Sequence, residues 1–161
     1  MFLGARRQAT PSPRGAFSLV ELMIVVSIIG ILASIAIPNM RNAQLKAKRV
    51  EIVGALGSIK TMEQAYDAAH DQFVDAAVQP RADSALDKTA VSWTGSASTG
   101  FSRIGWSPDG NVRGNYQVFG ATDTDFSAEA HIDADGDGVL CIVAASNFVH
   151  GEITAAMADV Y

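Results

Sequence analysis

The stretch from Phe17 to Ile37, FSLVELMIVVSIIGILASIAI, constrains the fold more than any other, and Pro38 closes it. Its 21 residues carry one charge, Glu21, and the 16 from Leu22 to Ile37 carry none. A helix of that length rises about 31 Å, close to the hydrocarbon thickness of a bilayer. Dense isoleucine and valine lower helix propensity slightly in water. In lipid that hardly matters, because only a helix lets a single span satisfy its own backbone polar groups. The pattern predicts a membrane helix near the amino end, with an acid placed where an acid is expensive to hold.

The residues around that acid form a motif. Gly15-Ala16-Phe17-Ser18-Leu19-Val20-Glu21, then an apolar run holding Gly30 and Pro38, resembles the amino-terminal signature of type IV pilins and pseudopilins, the class III prepilin signal. The likeness covers residues 14–45. It implies a short leader, a prepilin peptidase that cuts ahead of Phe17 and methylates its amine, and Glu21, Gly30 and Pro38 as assembly residues. The family pattern has Gly directly before Phe, whereas here Ala16 intervenes. A cut between Ala16 and Phe17 keeps the spacing to Glu21 and Pro38; a cut after Gly15 is the alternative.

The leader, residues 1–16, is too polar for the apolar core of a secretory signal. Arg6, Arg7 and Arg14 precede the span, which keeps the amino end cytoplasmic and sends the rest outward. An ordinary secretory signal is the competing reading, with Ser34-Ile35-Ala36 as its small-residue cut. Against it stand a long core, an acid near its start and Pro38 just beyond.

With 161 residues the chain has room for one small domain plus an anchor. Its 17 acids outnumber 12 bases, and losing the leader takes the net charge from −5 to −8, which argues against a general nucleic-acid binder. The single cysteine, Cys141, excludes an intrachain disulfide and reads as a buried small hydrophobe.

Residues 17–38 are thus expected as the transmembrane and assembly helix, and 39–73 as its amphipathic continuation. Leu45, Ile52, Leu56, Ile59, Met62, Tyr66, Ala69 and Phe73 recur at helical spacing. Arg41, Lys46, Lys48, Arg49, Glu51, Lys60 and Glu63 read as the solvated face, and Gly54 and Gly57 as points where a sheet packs close. Pro38 is expected to bend the helix rather than end it.

Residues 74–100, with Pro80 and the run from Thr94 to Gly100, read as loop around a short strand at Val91–Trp93. By position this resembles the variable surface loop of pilins. Residues 101–161 read as an antiparallel sheet and carboxy-terminal segment. The expected strands are Phe101–Trp106, Tyr116–Ala121, the alternating Phe126–Ile132, and Val139–Ala145, apolar on both faces and so central; Ser107–Gly110 is a turn. The expected class is α+β, a long amino-terminal helix, its first half transmembrane, packed on a carboxy-terminal antiparallel sheet, as in the pilin fold.

Asp133-Ala134-Asp135-Gly136-Asp137-Gly138 matches the opening of a calcium loop, with Asp133, Asp135 and Asp137 as ligands. The closing bidentate Glu falls on Ala144, and an Asp-Gly hairpin turn explains the same residues. The pilin resemblance favours calcium, since some pseudopilins hold it in a carboxy-terminal loop. No cofactor is otherwise required. His70, His131 and His150 share no ligand spacing, and no phosphate-binding loop or nucleophile elbow occurs, so no enzyme is expected.

The resemblance implies a structural subunit that polymerises with copies of itself. It is held in the inner membrane, amino end cytoplasmic, handled by prepilin peptidase and the inner-membrane pilus assembly machinery, and ends in an extracellular pilus serving motility, adhesion or DNA uptake. A pseudopilin of a type II secretion system is the alternative. Lipid and neighbouring helices are interchangeable ways to cover the same apolar surface.

Overall fold

The computed structural model describes residues 17–94 and 100–149 and the backbone of Glu152–Ile153. The chain divides into two compact units, Met1–Met40 and Arg41–Tyr161. One helix, α1 (Leu19–His70), contributes to both and runs through Pro38. It starts at Ser18, whose Oγ accepts the Glu21 amide at 3.4 Å, and it closes at Asp71, left-handed at φ 56, whose amide reaches the Asp67 carbonyl at 2.7 Å. The leader and its cut lie outside the described residues, as do His150 and the segment 95–99.

The second unit holds the sheet. Its strands are β1 (Ala76–Gln79), β2 (Val91–Ser92), β3 (Asn111–Val112), β4 (Asn115–Phe119), β5 (Ser127–Ile132), β6 (Cys141–Ser146) and β7 (Glu152–Ile153). Five run antiparallel in the order β1-β4-β5-β6-β7, and β2 pairs with β3 apart from them. The inner face, Tyr116 and Val118, Ala128, Ala130 and Ile132, Cys141 and Val143, joins Ile52, Leu56 and Ile59 of α1 in one core. At about 1.5–3 kcal/mol for each large side chain, this burial is the main force joining helix to sheet. Trp93, Phe101, Trp106 and Tyr116 close one end with ring centroids 5.2–6.2 Å apart.

The α+β expectation stands, with corrections inside it. Phe101–Trp106 is not a strand: Gly100–Arg103 forms a short helix, α2, with Ile104 N bonded to Gly100 O at 3.1 Å. Phe101 and Ile104 stand one helical turn apart and both are buried. The sheet also begins inside the expected loop 74–100, because β1 lies beside β4. β6 is interior but faces the core on one side only, with Ala144 exposed and Val139 outside the strand at 47 % exposure.

The solvated face of α1 is also corrected. Glu63 and Lys60 are buried; Lys60 Nζ donates to Val149 O and Lys48 Nζ to Ala134 O, while Glu51 accepts the Arg113 backbone amide and guanidinium. Met62 and Ala69, expected in the core, are exposed. Nor do Gly54 and Gly57 admit the sheet, since a Cβ on either would meet nothing within 4 Å. The close approach comes at Gly114 instead, where a Cβ would lie 2.6 Å from Ile52 Cγ2 and 2.8 Å from His131 O.

Candidate assembly surface

From Phe17 to Ile37 every large apolar side chain is at least 44 % exposed. Among the described residues nothing in the first unit covers them, although water is the wrong solvent for such a surface. Two hydroxyls within the span are satisfied by the helix itself: Ser27 Oγ donates to Met23 O at 2.8 Å and Ser34 Oγ to Ile31 O at 2.7 Å. Gly30 stands on the open helix surface. Phe17 is 77 % exposed just ahead of the cap.

Glu21 occupies the first turn, where a negative charge meets the positive end of the helix dipole. Ser18-Leu19-Val20-Glu21 is also the S-x-x-E pattern of a capping box, and Ser18 makes its half of that exchange. Sequence reading passed over this local role, though the spacing was in view. After Phe17 the first Lys or Arg along the chain is Arg41, so the helix offers Glu21 no basic side chain nearby.

The second unit carries a related surface that sequence reading missed. Ala43, Ala47, Val50, Gly54, Gly57, Thr61, Ala65 and Ala68 recur at steps of three and four along α1, and all are exposed. They lie opposite Ile52, Leu56 and Ile59 on the helix. The outward face of a solvated helix is ordinarily charged. Here it is small, uncharged and flat, while Lys48, Lys60 and Glu63 turn toward the domain.

Asp133, Asp135 and Asp137 do come together, each offering an oxygen within 4.8 Å of the others. The turn also uses them itself. Asp133, 2 % exposed, accepts Gly136 N at 2.7 Å and Gly138 N at 3.1 Å; Asp135 accepts Asp137 N and Asp137 accepts Val139 N. These residue types fit calcium, and the turn is closed by its own carboxylates without it.

The remaining polar groups are tied into structure. His131 is buried on the outer side of β5, its Nδ1 2.8 Å from Asp83 Oδ1, because residues 81–89 fold over it. Arg81 fastens that segment to Asp87, to Thr89 O and to Arg113 O. Burial pushes the Cys141 thiol up, with Arg49 pulling the other way. A cleft of about 430 Å³ beside α1 is bounded by Glu51, Ser58, Trp106 and Tyr116, and Trp106 Nε1 donates to Ser58 Oγ at 2.7 Å. Burial, and then Glu51, raises the Tyr116 hydroxyl well above its ordinary range.

Residues 12–37 match the prokaryotic N-terminal methylation motif. The chain is 32 % identical over 133 residues to the type IV major pilin protein PilA of Myxococcus xanthus, an alignment covering 82 % of this chain and 49 % of PilA. It is 49 % identical over 53 residues to fimbrial protein Q of Moraxella bovis, covering 33 % of this chain and 32 % of that one. Against the type II secretion system core protein G of Escherichia coli it is 40 % identical over 60 residues, 37 % of this chain and 39 % of that one. The chain thus spans about half of PilA and about a third of fimbrial protein Q. The motif accounts for the first part of the amino-terminal helix and the PilA alignment extends the likeness into the sheet, so the chain is similar to type IV pilins over most of its length.

Proposed function

We propose that the chain is the structural subunit of a type IV pilus. Prepilin peptidase cuts between Ala16 and Phe17 and methylates the new amine. The span 17–38 holds the subunit in the inner membrane, amino end inward, until the assembly machinery transfers it to an extracellular filament of identical copies. The observation that carries this reading is the bare helix, apolar from Leu22 to Ile37 save two serines, and uncharged from Ala43 to Ala68 along the face opposite the core. Lipid can cover the first part, and neighbouring helices can cover both. Calcium is not required, and no catalytic step is assigned.

Glu21 gives the sharpest test. An acid in a membrane helix costs roughly 2.5–3.5 kcal/mol on insertion scales, so it implies a partner. The methylated amine at Phe17 of an adjacent copy supplies one. Two opposite charges 4 Å apart attract by about 4 kcal/mol at an effective dielectric near 20, enough to select one axial register. Glu21→Val is expected to insert and be processed normally, yet to lower the yield of sheared filaments roughly tenfold or more. Intact-mass and amino-terminal sequencing of wild-type filaments should find methylated Phe17 first. Wild-type filament yield from Glu21→Val would remove assembly from this residue, and a chain beginning at Ile37 would remove the pilus reading. Surface filaments that disappear with the gene distinguish a pilus from a secretion pseudopilin, to whose core protein G the chain is also similar.

A further inference from the structure

Glu63 is fully buried although it is a carboxylic acid near the end of the long helix. Its Oε2 accepts the Val74 amide at 3.0 Å, while Oε1 is buried with no hydrogen-bond partner among the described residues. Three elements meet there. The chain leaves α1 through Asp71, and Phe73 N is fixed to Thr122 O at 3.0 Å. Asp75 Oδ1 accepts Ala121 N at 2.8 Å, which places a second carboxylate beside Glu63. Gly100, first residue of α2, presses on the same point, because a Cβ there would run into the Asp75 carbonyl.

The charges facing Glu63 are therefore Asp75, from the segment leading into β1, and Arg103, from α2. Arg103 makes no ion pair with Glu63; its Nη2 donates to Tyr66 Oη at 3.2 Å and its guanidinium lies 5.9 Å over the Tyr66 ring. On the helix itself Lys60, one turn earlier, is engaged with Val149 O. An ionised Glu63 would thus sit in apolar surroundings with one backbone donor, a like charge nearby and no bonded cation.

We propose that Glu63 is a proton-operated lock on the junction between α1 and the sheet. Neutral, it joins α1 to the Val74–Asp75 backbone; ionised, it makes this junction the first part of the domain to open. Burial above all, and then Asp75, pushes the carboxyl up to about 7, against the Val74 amide and Arg103, which pull it down. The closed junction holds a proton that the opened one releases. Closure is therefore strongest at and below the ordinary carboxylate range and weakens as pH rises through about 7, with no further loss above.

Hydrogen exchange of the full chain in detergent micelles, read at residues 73–76 and 100–104 from pH 5.5 to 8.5, tests this without any variant. After correction for intrinsic exchange, opening of this junction should increase on the order of tenfold to a hundredfold as pH rises, while the β4–β5–β6 strands change far less. Glu63→Gln, which keeps the shape without the charge, should abolish the pH dependence and stay as closed at pH 8.5 as the wild type is at 5.5. A junction whose corrected exchange is flat with pH in the wild type would overturn the lock. So would a pH dependence that persists in Glu63→Gln or is shared by the whole sheet. Filament yield does not enter this experiment, so it stands or falls apart from the pilus reading.

Discussion

Asp133 makes two of the four carboxylate bonds that close the turn between β5 and β6. Both its oxygens are used, one by Gly136 N and one by Gly138 N, and the side chain is 2 % exposed. Asp133→Ala leaves two amides without their acceptor, which should cost about 2 kcal/mol and lower the melting temperature roughly 6–12 °C. Asp133→Asn retains one carbonyl oxygen and should lose about half as much. Melting in millimolar calcium and in chelator is expected to coincide; a rise in calcium that Asp135→Asn removes would assign the turn a metal instead. At this scale the sequence was legible where a residue's role is local, as in the Asp-Gly turn and the buried Cys141. It was opaque at His131, whose alternation within β5 says "outward". Its burial comes from residues 81–89, which reach it from 48 positions away in the case of Asp83.

Along α1 the inward stripe of Ile52, Leu56 and Ile59 was plain from its spacing, and the outward face was not. A lysine in a helix reads as solvated, but its aliphatic stem can lie along the domain while the ammonium finds a carbonyl, as Lys60 does at Val149. With Lys48, Lys60 and Glu63 turned inward, the strip opposite the core is alanine, glycine, Val50 and Thr61, flanked by exposed Lys46, Ser58 and Gln64. Gly54 and Gly57 have open space at the missing Cβ and helical backbone, so nothing in their own domain asks for glycine. Gly57→Ala should accordingly stabilise the second unit by about 0.5–1 kcal/mol, measured by thermal or urea unfolding. Gly57→Arg should leave that unfolding curve within about 1 kcal/mol of wild type, yet prevent filaments, because it sets a buried charge into a helix contact. Normal filaments from Gly57→Arg would show that this stretch of α1 faces solvent in the assembly. The misreading of 101–106 belongs to this scale too: six residues rich in apolar side chains suit a strand or a helical turn equally, and the Phe101–Ile104 spacing decides only when the core is known.

The chain divides into an apolar helical unit and a unit with a core of its own. Among the described residues, all the buried hydrophobic ones lie at Ile52 or beyond, within Arg41–Tyr161. The sheet is antiparallel, its strands β4 to β7 follow one another in the chain, and the aromatic group of Trp93, Phe101, Trp106 and Tyr116 lies wholly within Arg41–Tyr161. That unit, produced without Met1–Met40, should be soluble and monomeric and should melt in one cooperative transition followed equally by far-ultraviolet and aromatic circular dichroism. Its first turn, before Leu45 packs on the core and Lys48 reaches Ala134 O, should fray, so its helical signal should fall slightly short of a helix beginning at Arg41. It should not enter filaments when mixed with the full chain, because it lacks Glu21 and the apolar span that the assembled helices would bury. Sedimentation of the mixture measures this directly. A truncated unit that aggregates, or unfolds without cooperativity, would show that the span stabilises the sheet domain as well as anchoring it. A truncated unit that co-sediments with filaments would place the decisive contacts on the outward face between Ala43 and Ala68 rather than in the membrane-spanning half.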